Sequence, residues 1–549
     1  MKKIIALQLF FFTSIILAQN NSNLTVGFES NSQYYMDDEK TGDFTEENRF
    51  RSNNYLKIDY LISNFYFGIQ AESYEPMSLL NYSPDFNQTN IALYYAGYKS
   101  KKIEVATGYF YEQYGSGLIL RSWENRQLGI NNALRGAKVK FSPSDNIEFS
   151  ALYGSQRSGF DVSDASIYGF NSEINISSIL KVDTWNLDLG FSYVGRKEVN
   201  DNLDFNFNFN DFTNAISGRV NFSKDNFYSS AEFVSKSNDG LIIFQEVRNV
   251  KPGNAFLFDF GYGKKGFGIN ANFRRIENMS FYSERNATGN IYNQNIINYI
   301  PALTKQHDYL LTNIYVYQAQ PQVSFQDPTL LKIGEIGGQV DLFYTLKKKT
   351  FLGGKYGTKI ALNMSYWAGL SGDFDYENFD YGADAFGIGE KYFSEISLEI
   401  RKKWSRSWSS IFYYVNQSYN KRYIEETFGN VETDIFVGEA TYKLGSGKSL
   451  RFEAQHLWTQ DDKKNWMGAT LEFNLNSKLA IYANNIYNYG NDDESKKINY
   501  YNLGGSYTKG AQRFTLNYGR QRGGLICIGG VCRFVPESTG ITANIVLSF

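Results

Sequence analysis

The feature that most constrains this chain is a two-residue alternation of apolar and polar side chains that recurs from Leu24 to Phe549. Trp185, Leu187, Leu189, Phe191 and Tyr193 alternate with Asn186, Asp188, Gly190 and Ser192. The run 204–210 reads D-F-N-F-N-F-N, which puts Phe205, Phe207 and Phe209 on one face. Phe267, Ile269, Ala271 and Phe273 repeat the pattern, as do Leu471, Phe473 and Leu475. Successive side chains of a strand point to opposite faces, so each segment reads as a strand with one apolar and one polar face. A helix would need a period of 3.6, which these segments lack.

The connections carry a second rhythm. Short turns fall near 63–64, 100–102, 143–146, 181–184, 224–226, 263–265, 347–356, 404–406, 445–447, 476–477 and 509–510. Between them lie longer polar stretches at 36–48, 76–88, 112–130, 196–213 and 235–252. Short turns on one side and long loops on the other are the pattern of outer-membrane barrels. The turn count implies about 24 strands, within a range of about 20 to 26, in an all-β, transmembrane, antiparallel up-and-down barrel.

Composition agrees. The chain holds 42 Tyr and 44 Phe but 8 Pro. Aromatics favour strands and form girdles at membrane interfaces, and scarce proline suits strands that must donate every backbone hydrogen bond. A mean hydropathy of -0.41 does not oppose a membrane barrel, because only alternate residues face lipid. With 55 basic and 57 acidic residues the chain has no basic footprint for nucleic acid.

Lys2 and Lys3, the apolar stretch Ile4–Leu17 and Ala18 read as a secretory signal peptide, 1–18, cleaved before Gln19. Residues 19–549 then form a single barrel domain. Strand pattern begins by Leu24, so no plug domain is expected, which argues against a plugged nutrient transporter of the 22-stranded type. A barrel of this strand number has a backbone diameter of about 48 Å. Side chains cannot fill that, so the lumen is open, filled by the protein's own loops, or occupied by another chain. The longest connection, at about 276–332, is the candidate filler. It contains Pro301, Pro321 and Pro328 and a strand-like stretch, Tyr309–Tyr317. It either folds inward as a constriction, stands outside as a partner-binding hairpin, or hides two further spanning strands.

The last segment puts Ile541, Ala543, Ile545, Leu547 and Phe549 on one face. Closure requires this strand to pair with the Leu24 strand, placing both on the periplasmic side at their outer ends. The row resembles the C-terminal aromatic signal read by barrel-assembly machinery. Outer-membrane lipids and lipopolysaccharide are the expected surroundings.

Cys527 and Cys532 flank Ile528-Gly529-Gly530-Val531. Gly-Gly is a strong two-residue hairpin turn, which makes the cysteines a directly opposed, non-hydrogen-bonded pair with Cα atoms about 4.5 Å apart. That spacing predicts a disulfide, a local staple in the last extracellular loop. His456 reads as a girdle or lipid-facing residue, and His307 falls in the long loop. The acidic groups near 37–39, 46–47, 461–462 and 492–494 read as solvated loop tips. Asp373, Asp375, Glu377, Asp380 and Asp384 only partly match a calcium loop. No catalytic grouping, cofactor-binding pattern or metal site is supported, so the chain is not expected to be an enzyme.

The Ala18-Gln19 junction, the Asn/Tyr/Phe-rich strands, the cysteine run at 523–536 and Phe549 resemble those of a family of large outer-membrane barrels in Bacteroidota. That resemblance implies an outer-membrane location and brings no activity. Two roles follow from the lumen size. One is a structural or gating subunit of an outer-membrane assembly or secretion complex, with other outer-membrane proteins or lipoproteins as partners. The other is a stand-alone, porin-like channel constricted by its own loops.

Overall fold

The computed structural model describes residues 23–199, 211–243 and 246–549. The expected signal peptide, 1–18, and the alternating run 204–210 lie outside the described residues. One antiparallel sheet of 25 strands dominates; the two-residue strand Asp161–Val162 only clips onto its neighbour, and the other 24 close into a barrel. Closure occurs between Leu24–Met36 and Ser538–Ser548, in a register that opposes Phe28 to Leu547 and Tyr34 to Ile541. Phe549 and Val26 complete the seam by exchanging both backbone hydrogen bonds, at 2.9 and 3.1 Å. With no free edge, every central strand satisfies its backbone groups on both sides.

All eleven expected turns separate consecutive strands. Ser63, Asp225 and Ser446 adopt positive φ at three of them, the geometry a two-residue hairpin turn demands. The turn expected at 181–184 is longer. It starts with a single helical turn, Ile176–Ile179, capped by the Asn175 side chain accepting from the Ser178 N–H.

The outward face is apolar. Phe170, Phe191, Ile216, Phe233 and Phe258 lie on it in neighbouring strands and are all exposed. Ile541 belongs to the same face, opposite Tyr34 and Tyr518. His456 also faces outward, between Phe436 and Met467, with its Nε2 2.8 Å from the Tyr489 hydroxyl. A closed sheet with an apolar exterior and polar residues inside is stable only across a lipid bilayer. The protein is therefore an outer-membrane barrel.

Two expectations about the loop side need correction. The stretch 235–252 is mostly strand, within a tall hairpin of Phe227–Ile243 and Glu246–Lys264. The acidic run 373–384 crosses the tip of a second tall hairpin, Thr358–Asp375 with Asp380–Lys403. Above the membrane both faces of a strand meet water or protein, so polarity on both faces no longer signals a loop.

Candidate functional site: a lumen filled by its own loops

Sequence alternation predicts a polar inner wall, but at one height the wall is apolar. Phe110, Leu134, Leu152, Ile167, Val194, Ala215, Val234, Ala255 and Ile276 contribute one inward residue per strand to an arc. Trp367, Phe393, Val415, Ile435, Val437, Leu457, Trp466 and Ile486 form a second arc. Nearly all are fully buried. What buries them is the loop 278–333. Met279, Phe281 and Ile297 from it, joined by Leu118, Ile119 and Leu120 from the loop 111–133, pack on the first arc. Ala302, Tyr309, Leu311, Ile314, Tyr315 and Tyr317 pack on the second. The loop thus crosses the lumen and touches both sides.

Its expected alternatives fall away. The segment neither stands outside as a hairpin nor adds spanning strands. Tyr309–Tyr317 is not a strand and contains a 3-10 turn, Leu311–Asn313. Its rings face the wall, Tyr317 stacking between Trp367 and Phe393.

Buried charges brace the wall and, in two places, fasten this plug. Arg157 grips Glu72 through two hydrogen bonds of 3.0 and 2.7 Å, and Gln70 and Tyr74 add donors to the same carboxylate. Arg274 meets Glu335 at 2.5 Å and donates to the Pro301 carbonyl at 2.7 Å, while the Tyr317 hydroxyl donates to the other Glu335 oxygen. Arg196 donates to the Tyr282 carbonyl and to Asp239, and the plug residue Arg285 reaches Asp239 at 2.6 Å and also pairs with Glu198. Burial lowers the Arg285 pKa, against the pull of Asp239, while burial and the Glu335 carboxylate both raise that of Tyr317. Such pairs are costly to desolvate, so Arg157–Glu72 fixes wall strand against wall strand, and the other two groups fix one geometry of loop against wall. His307 lies at the wall too, with Nε2 2.9 Å from Glu395 and Nδ1 2.7 Å from the Tyr413 hydroxyl.

The cysteine hairpin is the plug's clasp. Cys527 and Cys532 form a disulfide across a directly opposed pair, with Cα atoms 4.0 Å apart. Gly529 and Gly530 take positive φ in the turn. The hairpin is more than a local staple, because it bends inward. The Gly530 carbonyl accepts from the Ala302 N–H at 2.8 Å, and the Gly529 carbonyl from the Tyr299 hydroxyl at 2.6 Å. Arg533 donates to the Leu128 carbonyl and stacks over Tyr82 and Tyr292. Burial raises the Tyr82 pKa to about 12.

Other candidates separate. The carboxylates at 373–384 do not gather: Asp375 accepts from Asn378, Asp380 from Lys251 and Asp384 from Ser371. Among the described residues no group of three or more potential ligands could hold a metal ion. Two acidic residues read as solvated tips do structural work. Asp462 accepts from Tyr315 of the plug at 2.9 Å and from Lys421 at 2.7 Å. Asp38 holds Arg520 and Thr539 across the closing seam.

The model of a family of unknown function, DUF6029, matches residues 1–549. No curated protein matches the chain. Among solved structures, it superposes on a chain of the E. coli P pilus tip assembly intermediate PapC-PapD-PapK-PapG with a TM-score of 0.49 and 9% identity, over 96% of this chain and 60% of that one. The P pilus usher (PapC) translocation pore gives 0.41 and 8%, over 96% and 99%. A BenF-like porin from Pseudomonas fluorescens Pf-5 gives 0.34 and 9%, over 82% and 96%. The likeness extends to the barrel alone.

Proposed function

The chain belongs to DUF6029, a family of unknown function, so its role is read from the barrel itself, and we propose that it is an outer-membrane channel constricted by its own inward-folded loops. One observation carries this reading. The loop 278–333 spans the lumen and packs on both apolar arcs of the wall. A barrel this wide needs a filler, and here the chain supplies it. The case for a subunit of an assembly or secretion complex rested on a lumen that another protein must occupy, and that need is largely met from within. On this reading the protein performs no covalent chemistry; its work is selection at a narrow passage.

Planar-bilayer recording tests the proposal. The purified barrel should give small, steady conductance steps, and replacing residues 303–319 by a flexible linker should enlarge them. A barrel silent in both forms that co-purifies with other chains in fixed stoichiometry would replace the channel reading with that of a complex subunit.

A further inference from the structure

The plug does not meet the wall evenly. The two apolar arcs and a smaller cluster around Tyr55, Tyr74, Tyr82 and Phe86 leave a gap over three strands: Gln512–Gln521, Ser538–Ser548 and Leu24–Met36. These are the strands of the closing seam. At the top of the seam the register runs Gly519, Gly540 and Tyr35; the two glycines offer the plug no side chain, Tyr35 is buried against Phe44 and the loop 74–88, and Gln33, one inward step below it, stays partly exposed.

Below the gap the wall is polar, with most of its side chains uncharged. Register and hydrogen bonds place Asn502, Asn517, Thr542, Asn544 and Asn31 on the inner face, with Tyr482 beside them donating to Asn517. The Asn544 amide donates to Asn31 at 2.6 Å. All of these side chains stay partly exposed, whereas inward residues under the plug, such as Ser192, Ser397 and Glu395, are buried. A Cβ built on Gly27 would meet open space. Ionised groups border the sector at Arg513, near its periplasmic mouth, at Glu29, which Arg126 pairs at 2.8 Å, at the Lys57–Asp59 pair opposite Gly27 and Thr25, and at Glu472 opposite Tyr482. The disulfide hairpin springs from the tops of the two seam strands, Gln521 and Ser538, and so roofs the sector.

We propose that the seam wall is the solute path of the channel, and that it takes small, uncharged, hydroxyl-rich molecules, the chemistry of a sugar. This rests on the channel reading above. Amides and hydroxyls offer donors and acceptors in equal measure, so a polyol exchanges its water hydrogen bonds for wall hydrogen bonds at little cost. The Tyr482 ring adds a flat surface for the C–H face of a pyranose. An ion meets few charges on this wall, Glu29 being already paired by Arg126, and loses hydration in a narrow space beside a low-dielectric plug.

Swelling of proteoliposomes in glucose, or in its anionic oxidation product gluconate, tests the proposal. Glucose should enter several-fold faster than gluconate. Thr542→Trp and, separately, Asn502→Trp should cut glucose entry several-fold, each checked for strand content by circular dichroism. Asn221→Trp, on the inner face of the opposite wall, should leave entry unchanged. Equal entry of the two solutes overturns the substrate class. Equal blockage by seam and control substitutions, or blockage by neither, overturns the path. Vesicles that swell in no solute, even with residues 303–319 replaced, overturn the channel reading itself and this inference with it.

Discussion

Arg157 and Glu72, on strands of the same side of the wall, meet at the lumen's rim as a two-pronged ion pair with both side chains about 1% exposed. Among the described residues, only Gln70, Tyr74 and the Gly159 carbonyl share the bonds. Removing one partner leaves an uncompensated buried charge, which costs about 3–5 kcal/mol. Arg157→Ala and Glu72→Ala should each destabilise the barrel by about that amount, read as a lowered denaturant midpoint in detergent. The double substitution should cost less than the sum, because neither charge is then stranded. Strictly additive losses would show that the pair does not act as a unit.

The disulfide closes a ring of six residues, a constraint that contributes about 2 kcal/mol to the hairpin by loop-closure entropy. Its effect should appear in the plug more than in the barrel. In Cys527→Ser/Cys532→Ser the Ala302 amide, which donates to Gly530, should exchange with deuterium faster. Amides in the middle of the strand Asn430–Gly445, remote from the clasp, should keep wild-type rates. Unchanged exchange at Ala302 would mean that the hairpin holds the plug without its crosslink.

The barrel was legible because its signals are local. Alternation at Trp185–Tyr193, the Gly529-Gly530 turn and the short turns each depend on a few neighbouring residues. The plug was legible only in part: the long loop stands out as a candidate filler, but its inward fold is one of three alternatives, and the reason lies in the wall. Tyr366-Trp367, Tyr414-Val415, Phe436-Val437 and Phe233-Val234 each put an outward apolar residue beside an inward one. In sequence such pairs look like lapses in alternation. In the structure the second member of each is the plug's contact. Their recurrence in strand after strand was the available signal for a lumen packed with protein. The partners Glu335 for Arg274 and Glu395 for His307 lie 61 and 88 residues away, beyond any spacing rule. Asp462 read as a loop tip because the ring that reaches it, Tyr315, lies 147 residues away in the plug.

Asp38 gives the closing seam a pH dependence. Burial opposes its ionisation, but the Lys40 N–H, the Thr539 hydroxyl and the Arg520 guanidinium outweigh it, so its folded pKa lies below the ordinary carboxylate value. A depressed pKa means that the proton prefers the unfolded chain. The stabilisation is therefore complete above the unfolded value, about pH 4, and fades as pH falls through the folded value. Asp38→Asn should remove that acid-side slope and leave a flatter profile between pH 5 and 3, measured by thermal unfolding in detergent. Identical profiles for both proteins would assign the acid response to other carboxylates.

His307 offers the sharpest test of how the plug is held. Its ring joins a plug segment to two wall strands, through Glu395 on Asp380–Lys403 and Tyr413 on Trp408–Asn420. Glu395 is itself buried and keeps one other side-chain donor, Gln417 at 2.8 Å. His307→Leu matches the loop's apolar surroundings but leaves that carboxylate short of a partner, at a cost of about 1–3 kcal/mol. Adding Glu395→Gln should recover part of the loss, since a neutral amide tolerates the gap. The expected coupling in a double-mutant cycle is about 1–2 kcal/mol. The same His307→Leu barrel should flicker between conductance levels in a bilayer, because the second half of the plug has lost its polar anchor there. A coupling near zero, with steady wild-type conductance, would place the hold on Tyr309–Tyr317 in the apolar arc and leave the histidine a bystander.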